Sequence, residues 1–277
     1  MKKVLLVLFA ILACITIFYI FSNRQENDIN GQITYCAYNN NVHGAYVMDI
    51  NTDRQSFIPD CISIKLLAHD EVLLGQYKAI KKSNLKAVDE QISYCIEEPI
   101  DFFALISDSI ISFSSEKRIF IFDLNRYEKT MIVEDNGSKY HGWLSGSLIY
   151  ANTNDEVIEY NLYDNTKKKL FDGREPIASS DNNIIAYKDF NGKLHTFNIN
   201  TNEQYIYNGS AYYYCLSPKS DMLLIEDEMK LSTVLKNILF RGKIIGHRVV
   251  VWDYKDNTTF NVLDECIAGA GEGFSWQ

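Results

Sequence analysis

The sequence predicts an all-β fold: a six-bladed β-propeller preceded by one N-terminal transmembrane helix. Three observations predict it. A Ser or His followed by Asp, Gly or Pro recurs before apolar stretches at His69-Asp70, Ser107-Asp108, Ser145-Gly146, Ser180-Asp181 and Ser217-Pro218, at intervals of 38, 38, 35 and 37 residues. Self-similarity at such a period marks a repeat architecture. A second phrase, an apolar run closed by Asp or Asn, recurs between these points. The two ends of the domain also read as complementary pieces of one repeat.

The chain starts with Lys2 and Lys3, followed by an 18-residue apolar run from Val4 to Phe21. That length suits a membrane span and is long for a signal-peptide core. The lysines favour the cytoplasmic side, which would place the rest of the chain outside the cytoplasmic membrane. Ile11-Leu12-Ala13-Cys14 also reads as a lipobox, so lipidation at Cys14 is an alternative, and cleavage with secretion is a third. Residues 1–30 are therefore the anchor or signal segment, and residues 31–277 the propeller domain.

Within the domain each phrase leads into a strand, a polar turn, a second strand, another turn and a third strand. Around residues 183–207 the order is Asn183–Tyr187, a turn at Asp189-Phe190-Asn191-Gly192, Lys193–Ile199, a turn at Asn200-Thr201-Asn202, and Gln204–Tyr207. Asn, Asp and Gly tolerate left-handed backbone and suit such hairpins. The second phrase reads Tyr46–Ile50, Ile119–Leu124, Val157–Leu162, Leu194–Ile199 and Val249–Tyr254. Its equivalent near Leu85–Asp89 is degenerate. Ile119–Phe122 and Val249–Trp252 are apolar at every position, whereas a sheet with one wet face would alternate. They fit strands sandwiched between neighbouring sheets.

These phrases, with Leu216-Ser217-Pro218-Lys219-Ser220-Asp221-Met222-Leu223-Leu224-Ile225, resemble the repeats of TolB-type and WD-like β-propellers. The resemblance covers most of residues 32–277. It is to a class of repeat, and no copy carries a full Ser-Pro-Asp-Gly. It implies a propeller and brings no peptidase activity, because no α/β-hydrolase segment follows.

At the ends, Cys266–Trp276 reads as an innermost strand leading into a last phrase at Ser275, 58 residues after Ser217. Gln32–Tyr38 reads as a second strand whose first strand is missing. Joining them completes one blade beside five that start near Cys61, Pro99, Lys139, Glu175 and Tyr212, and such closure hides open sheet edges. Cys61 and Cys266 would then open adjacent blades, which suggests a disulfide between them. Six cysteines in all, one of them in the anchor, leave an odd number for pairing. The extra residues between Asp227 and Gly246 carry Leu231, Val234, Leu235, Ile238 and Leu239 at helical spacing, so a helical insertion packed on its own blade is expected, with a lid or partner-binding helix as the alternative.

Net charge is −9 and Lys167-Lys168-Lys169 is the one basic run, which argues against nucleic acid as a partner. No zinc spacing, phosphate loop, dinucleotide motif or nucleophile elbow occurs, and Gly142-Trp143-Leu144-Ser145-Gly146 has the wrong spacing for the last. No cofactor is implied. Asp49-Ile50-Asn51-Thr52-Asp53 lacks the glycine and final Glu of a calcium loop. Asn136, Asn208 and Asn257 head glycosylation triplets, which matter only in a eukaryotic secretory pathway. His43, His69, His141, His195 and His247 are scattered. Tyr140-His141-Gly142-Trp143 and Phe274-Ser275-Trp276 suit either a ligand face or an aromatic core. The expectation is an exported, membrane-anchored module that binds a protein of the envelope or membrane. The alternative is a hydrolase or lyase with acids or His converging on the central pore.

Overall fold

The computed structural model describes residues 31–276, apart from 40–41, 53, 62, 68–70, 85–91, 135–138, 180–182, 218, 220, 229–246 and 267–274. These residues form six four-stranded antiparallel sheets. Blade I holds β1 (Gln32–Asn39), β2 (Val42–Asp49) and β3 (Gln55–Pro59). Blade II holds β4 (Ser63–Leu66), β5 (Glu71–Gln76), β6 (Ala79–Asn84) and β7 (Ile92–Cys95), and blade III β8 (Phe102–Ser107), β9 (Ile110–Ser115), β10 (Arg118–Asp123) and β11 (Glu128–Val133). Blade IV holds β12 (His141–Leu144), β13 (Ser147–Ala151), β14 (Glu156–Asn161) and β15 (Thr166–Asp172). Blade V holds β16 (Arg174–Ser179), β17 (Ile184–Lys188), β18 (Leu194–Asn198) and β19 (Gln204–Ile206), and blade VI β20 (Ala211–Leu216), β21 (Met222–Glu228), β22 (His247–Asp253) and β23 (Thr258–Cys266). The innermost strand of blade I is β24 (Ser275–Trp276), which pairs with β1 through Ile33↔Trp276 and Thr34↔Ser275.

The core lies between blades, in six apolar clusters that fall one to each junction. This explains the runs without polar breaks. Side chains on a strand point alternately to opposite faces. On β22, Val249 and Val251 pack toward blade I with Ile33, Met48 and Trp276, while Val250 and Trp252 pack toward blade V with Ile184, Ala186 and Leu194. On β10, Phe120 and Phe122 pack toward blade II with Ile80 and Tyr94, while Ile119 packs toward blade IV with Trp143 and Leu148. Both faces are dry, so both need apolar residues. Each such side chain contributes about 1.5–3 kcal/mol on burial.

The second phrase marks one fixed place in every blade. The last residue of the third strand pairs with the first residue of the second strand: Asp49↔Gln32, Asn84↔Glu71, Asp123↔Ile110, Asn161↔Ser147, Asn198↔Ile184 and Asp253↔Met222. The expected equivalent at Leu85–Asp89 is thus corrected. The third strand of blade II is Ala79–Asn84, and its polar Lys81-Lys82-Ser83 hid the phrase.

Two more expectations are corrected at the C-terminal end. Cys266 opens no innermost strand; it ends β23, the outermost strand of blade VI, so it and Cys61 do not head adjacent blades. Its side chain lies outside the described residues, and so does the suggested pairing. Ser275 is not a copy of the turn phrase. Ser107 and Ser217 accept hydrogen bonds from backbone N–H groups just ahead of them in sequence, at Ile110 (3.2 Å) and Met222 (3.1 Å). The Ser275 hydroxyl lies within β24 and accepts from the N–H of Leu66 in the next blade, at 3.3 Å. The phrases at His69-Asp70 and Ser180-Asp181, the residues of the expected insertion helix at 229–246, and the segment 1–30 lie outside the described residues. Among the described residues, no helix is long and apolar enough to cross a membrane.

Candidate functional site

The innermost strands β24, β4, β8, β12, β16 and β20 surround a central channel. Its top is taken as the end where these strands begin. A cavity of about 390 Å³ occupies it, with walls from all six blades. The aromatic lining is Phe102, Tyr140, Trp143, Tyr212, Tyr214 and Trp276. Both aromatic segments singled out in the sequence therefore contribute to one wall, although Phe274 lies outside the described residues. Trp143 and Trp276 are also core residues, so the channel wall and the core are partly the same side chains.

Crowding at the axis shapes this wall. A Cβ on Gly142 would lie 2.3 Å from the backbone nitrogen of Ala178 on the next innermost strand. Only glycine lets β12 and β16 approach this closely.

Four groups in the lining carry chemistry. His141 is buried, and its Nε2 lies 2.8 Å from Ser112 Oγ, which accepts a bond from the indole of Trp143 at 2.7 Å. Burial pushes the imidazole down to about 4, outweighing hydrogen bonds with Lys139 and Ser112 that favour its protonated form. His141 is therefore neutral near pH 7. Lys65 lies on β4 with its Nζ 5.3 Å from the centre of the Phe102 ring. Burial lowers its proton affinity, and the nearby thiols of Cys215 and Cys36 oppose that in a smaller measure. Cys215 is pushed up to about 12 by burial, so it is a thiol rather than a nucleophilic thiolate. Glu175 stands at the top, its Oε2 accepting from Lys188 Nζ at 2.6 Å. The backbone carbonyl of Glu175 accepts from the Tyr214 hydroxyl, and Lys188 also donates to the carbonyl of Tyr212 at 2.9 Å.

A second recess of about 480 Å³ adjoins the first at the top of blades V and VI and shares Glu175 and Tyr212 with it. Beside it His247 Nδ1 lies 2.8 Å from Oε1 of the buried Glu226, and the Tyr212 ring packs on the imidazole at 4.3 Å. The other described histidine side chain, His195, is held within blade V. Gln204 donates to its Nδ1 at 2.9 Å, and its Nε2 faces Asp189 Oδ2 at 3.3 Å. The histidines whose side chains are described thus sit in separate places. Among the described residues, no group of three or more His, Cys, Asp or Glu could hold a metal ion. Sequence reasoning missed Lys65, Glu175 and Glu226. The repeat places residues on innermost strands, and that alone could have nominated the first two.

No family model matches the sequence, and no curated protein matches it. Solved structures do match. A protein of unknown function from Bacteroides caccae aligns with a TM-score of 0.60 at 12% identity, over 88% of this chain and 98% of that one. The WD40 repeats of RRP9 align with a TM-score of 0.51 at 12% identity, over 72% of this chain and 62% of that one. The chain resembles WD-like repeat propellers. At such identity the likeness shows the fold alone, and a propeller fold by itself names no activity.

Proposed function

We propose that the propeller is a binding module that docks a protein partner on its top face. One observation carries the reading. The two recesses meet at the top around Tyr212, and two titratable groups of their walls are engaged in the structure itself: Glu175 with Lys188, and His141 with Ser112. An acid–base site needs groups able to exchange protons with a substrate near neutral pH. His141, held neutral far from its ordinary range, and Cys215, held as a thiol, do not meet that need. Exposed aromatic side chains at the same end, Tyr77, Phe190 and Tyr212, offer the apolar anchors that protein interfaces use.

The pairing of β24 with β1 serves this reading as the latch of the ring. It ties the last described strand to the first and gives the top face a fixed outline. We further place the module outside the cytoplasmic membrane, tethered through residues 1–30, on the strength of Lys2, Lys3 and the apolar run to Phe21. Co-purification from membranes of the tagged full-length chain is the test, with a Tyr212→Ala, Phe190→Ala variant beside it. A membrane-associated chain whose partner is retained by the parent and lost by the variant supports the reading. Loss of no partner on substitution, or recovery of the chain in the soluble cytoplasmic fraction, contradicts it.

A further inference from the structure

The channel is built as a pocket for a ligand much smaller than a protein. Its volume of about 390 Å³ falls in the range of small-molecule sites. Its walls are mostly aromatic, drawn from Phe102, Tyr140, Trp143, Tyr212, Tyr214 and Trp276. Planar walls of this kind favour a flat ligand through stacked and edge-on contacts.

The polar groups are unevenly placed along the channel. The described carboxylate of the lining, Glu175, is at the top and engaged with Lys188. Lys65 lies on the four-residue β4, with its amine against the Phe102 ring. Tyr140 adds a phenol to the wall and Ser275 a hydroxyl, whereas the hydroxyls of Tyr214 and Ser217 donate to the Glu175 carbonyl and to Asp221 Oδ1. An amine on an apolar, aromatic wall suits an anion better than a second cation. A charge–charge contact is also stronger in such a site than in water.

We propose that the channel binds a small aromatic carboxylate, with its anionic group on the Lys65 amine and its ring against the aromatic wall. The inference is independent of partner docking. A ligand in the channel and a protein on the top face are separate events.

Three probes of one shape test it: phenylacetate, phenylacetamide and phenethylamine. They are titrated into the detergent-solubilised full-length chain and followed by the indole N–H signals of its three tryptophans. Trp143 and Trp276 line the channel, whereas Trp252 is fully buried between blades V and VI. Phenylacetate is expected to shift Trp143 and Trp276 but not Trp252. It should bind at least about tenfold more tightly than the amide, a difference of about 1.4 kcal/mol, with the amine weakest. Lys65→Met keeps the aliphatic stem and is expected to abolish the preference for the acid. Equal binding of acid and amide by the parent chain overturns the proposal, as does absence of binding or a shift confined to Trp252. These arms need no variant. A folded Lys65→Met chain that keeps the preference overturns it as well.

Discussion

A neutral histidine at the channel wall ties stability to pH. In the unfolded chain a histidine takes up its proton near 6.5, while in the fold His141 does so only near 4. Between those values protons favour the unfolded state, so the contribution of His141 is complete above about pH 6.5 and lost as pH falls toward 4. The gap corresponds to about 3 kcal/mol at most. Urea unfolding at pH 7.5, 5.5 and 4 should show a steeper fall in the parent chain than in a His141→Gln variant, and identical pH dependence would contradict this assignment. Nothing in the sequence marks that role. His141 stood in an aromatic-rich segment that fitted core and ligand face equally, and its partner Ser112 lies 29 residues away on another blade.

At the scale of the element, the Asp and Asn of the second phrase act as turn caps. Asp49, Asp123, Asn198 and Asp253 each accept from the two N–H groups two and three residues on, at 2.9–3.2 Å. Asn161 accepts from Tyr163 at 2.8 Å. Four residues beyond the cap the backbone is left-handed, at Tyr127, Asn165, Asn202 and Asn257, with φ between 53° and 58°. Asn tolerates that conformation better than a residue with an apolar Cβ substituent. Asn202→Ala should therefore cost about 1 kcal/mol by denaturant unfolding, while Asn202→Gly stays close to the parent. Equal losses would mean that the asparagine side chain, not the backbone, matters there. These turns were legible in the sequence because their chemistry is local. Asn84 was missed because the strand before it, Lys81-Lys82-Ser83, lacks the apolar run that marked the others. The end of β23 was misread for a related reason: strand order along a blade is set by pairing partners, and Cys266 carries no local mark of an outermost strand.

For the whole molecule, the six inter-blade clusters form a ring in which every sheet is packed on two others. The blade count and period were readable because each repeat must bury both faces, which leaves a regular imprint. The channel was not readable, since it is assembled from single residues on six innermost strands that are far apart in sequence. Trp276 packs with Ile33, Tyr35 and Met48 of blade I and with Leu224, Val249 and Val251 of blade VI, and we propose that this contact latches the ring. The most direct test is the denaturant unfolding of the full-length chain with residues 275–277 removed. Losing the Trp276 side chain alone should cost about 3–5 kcal/mol, so the truncated chain is expected to unfold at a much lower midpoint and to expose the edge of β1. An unchanged midpoint would contradict the latched ring.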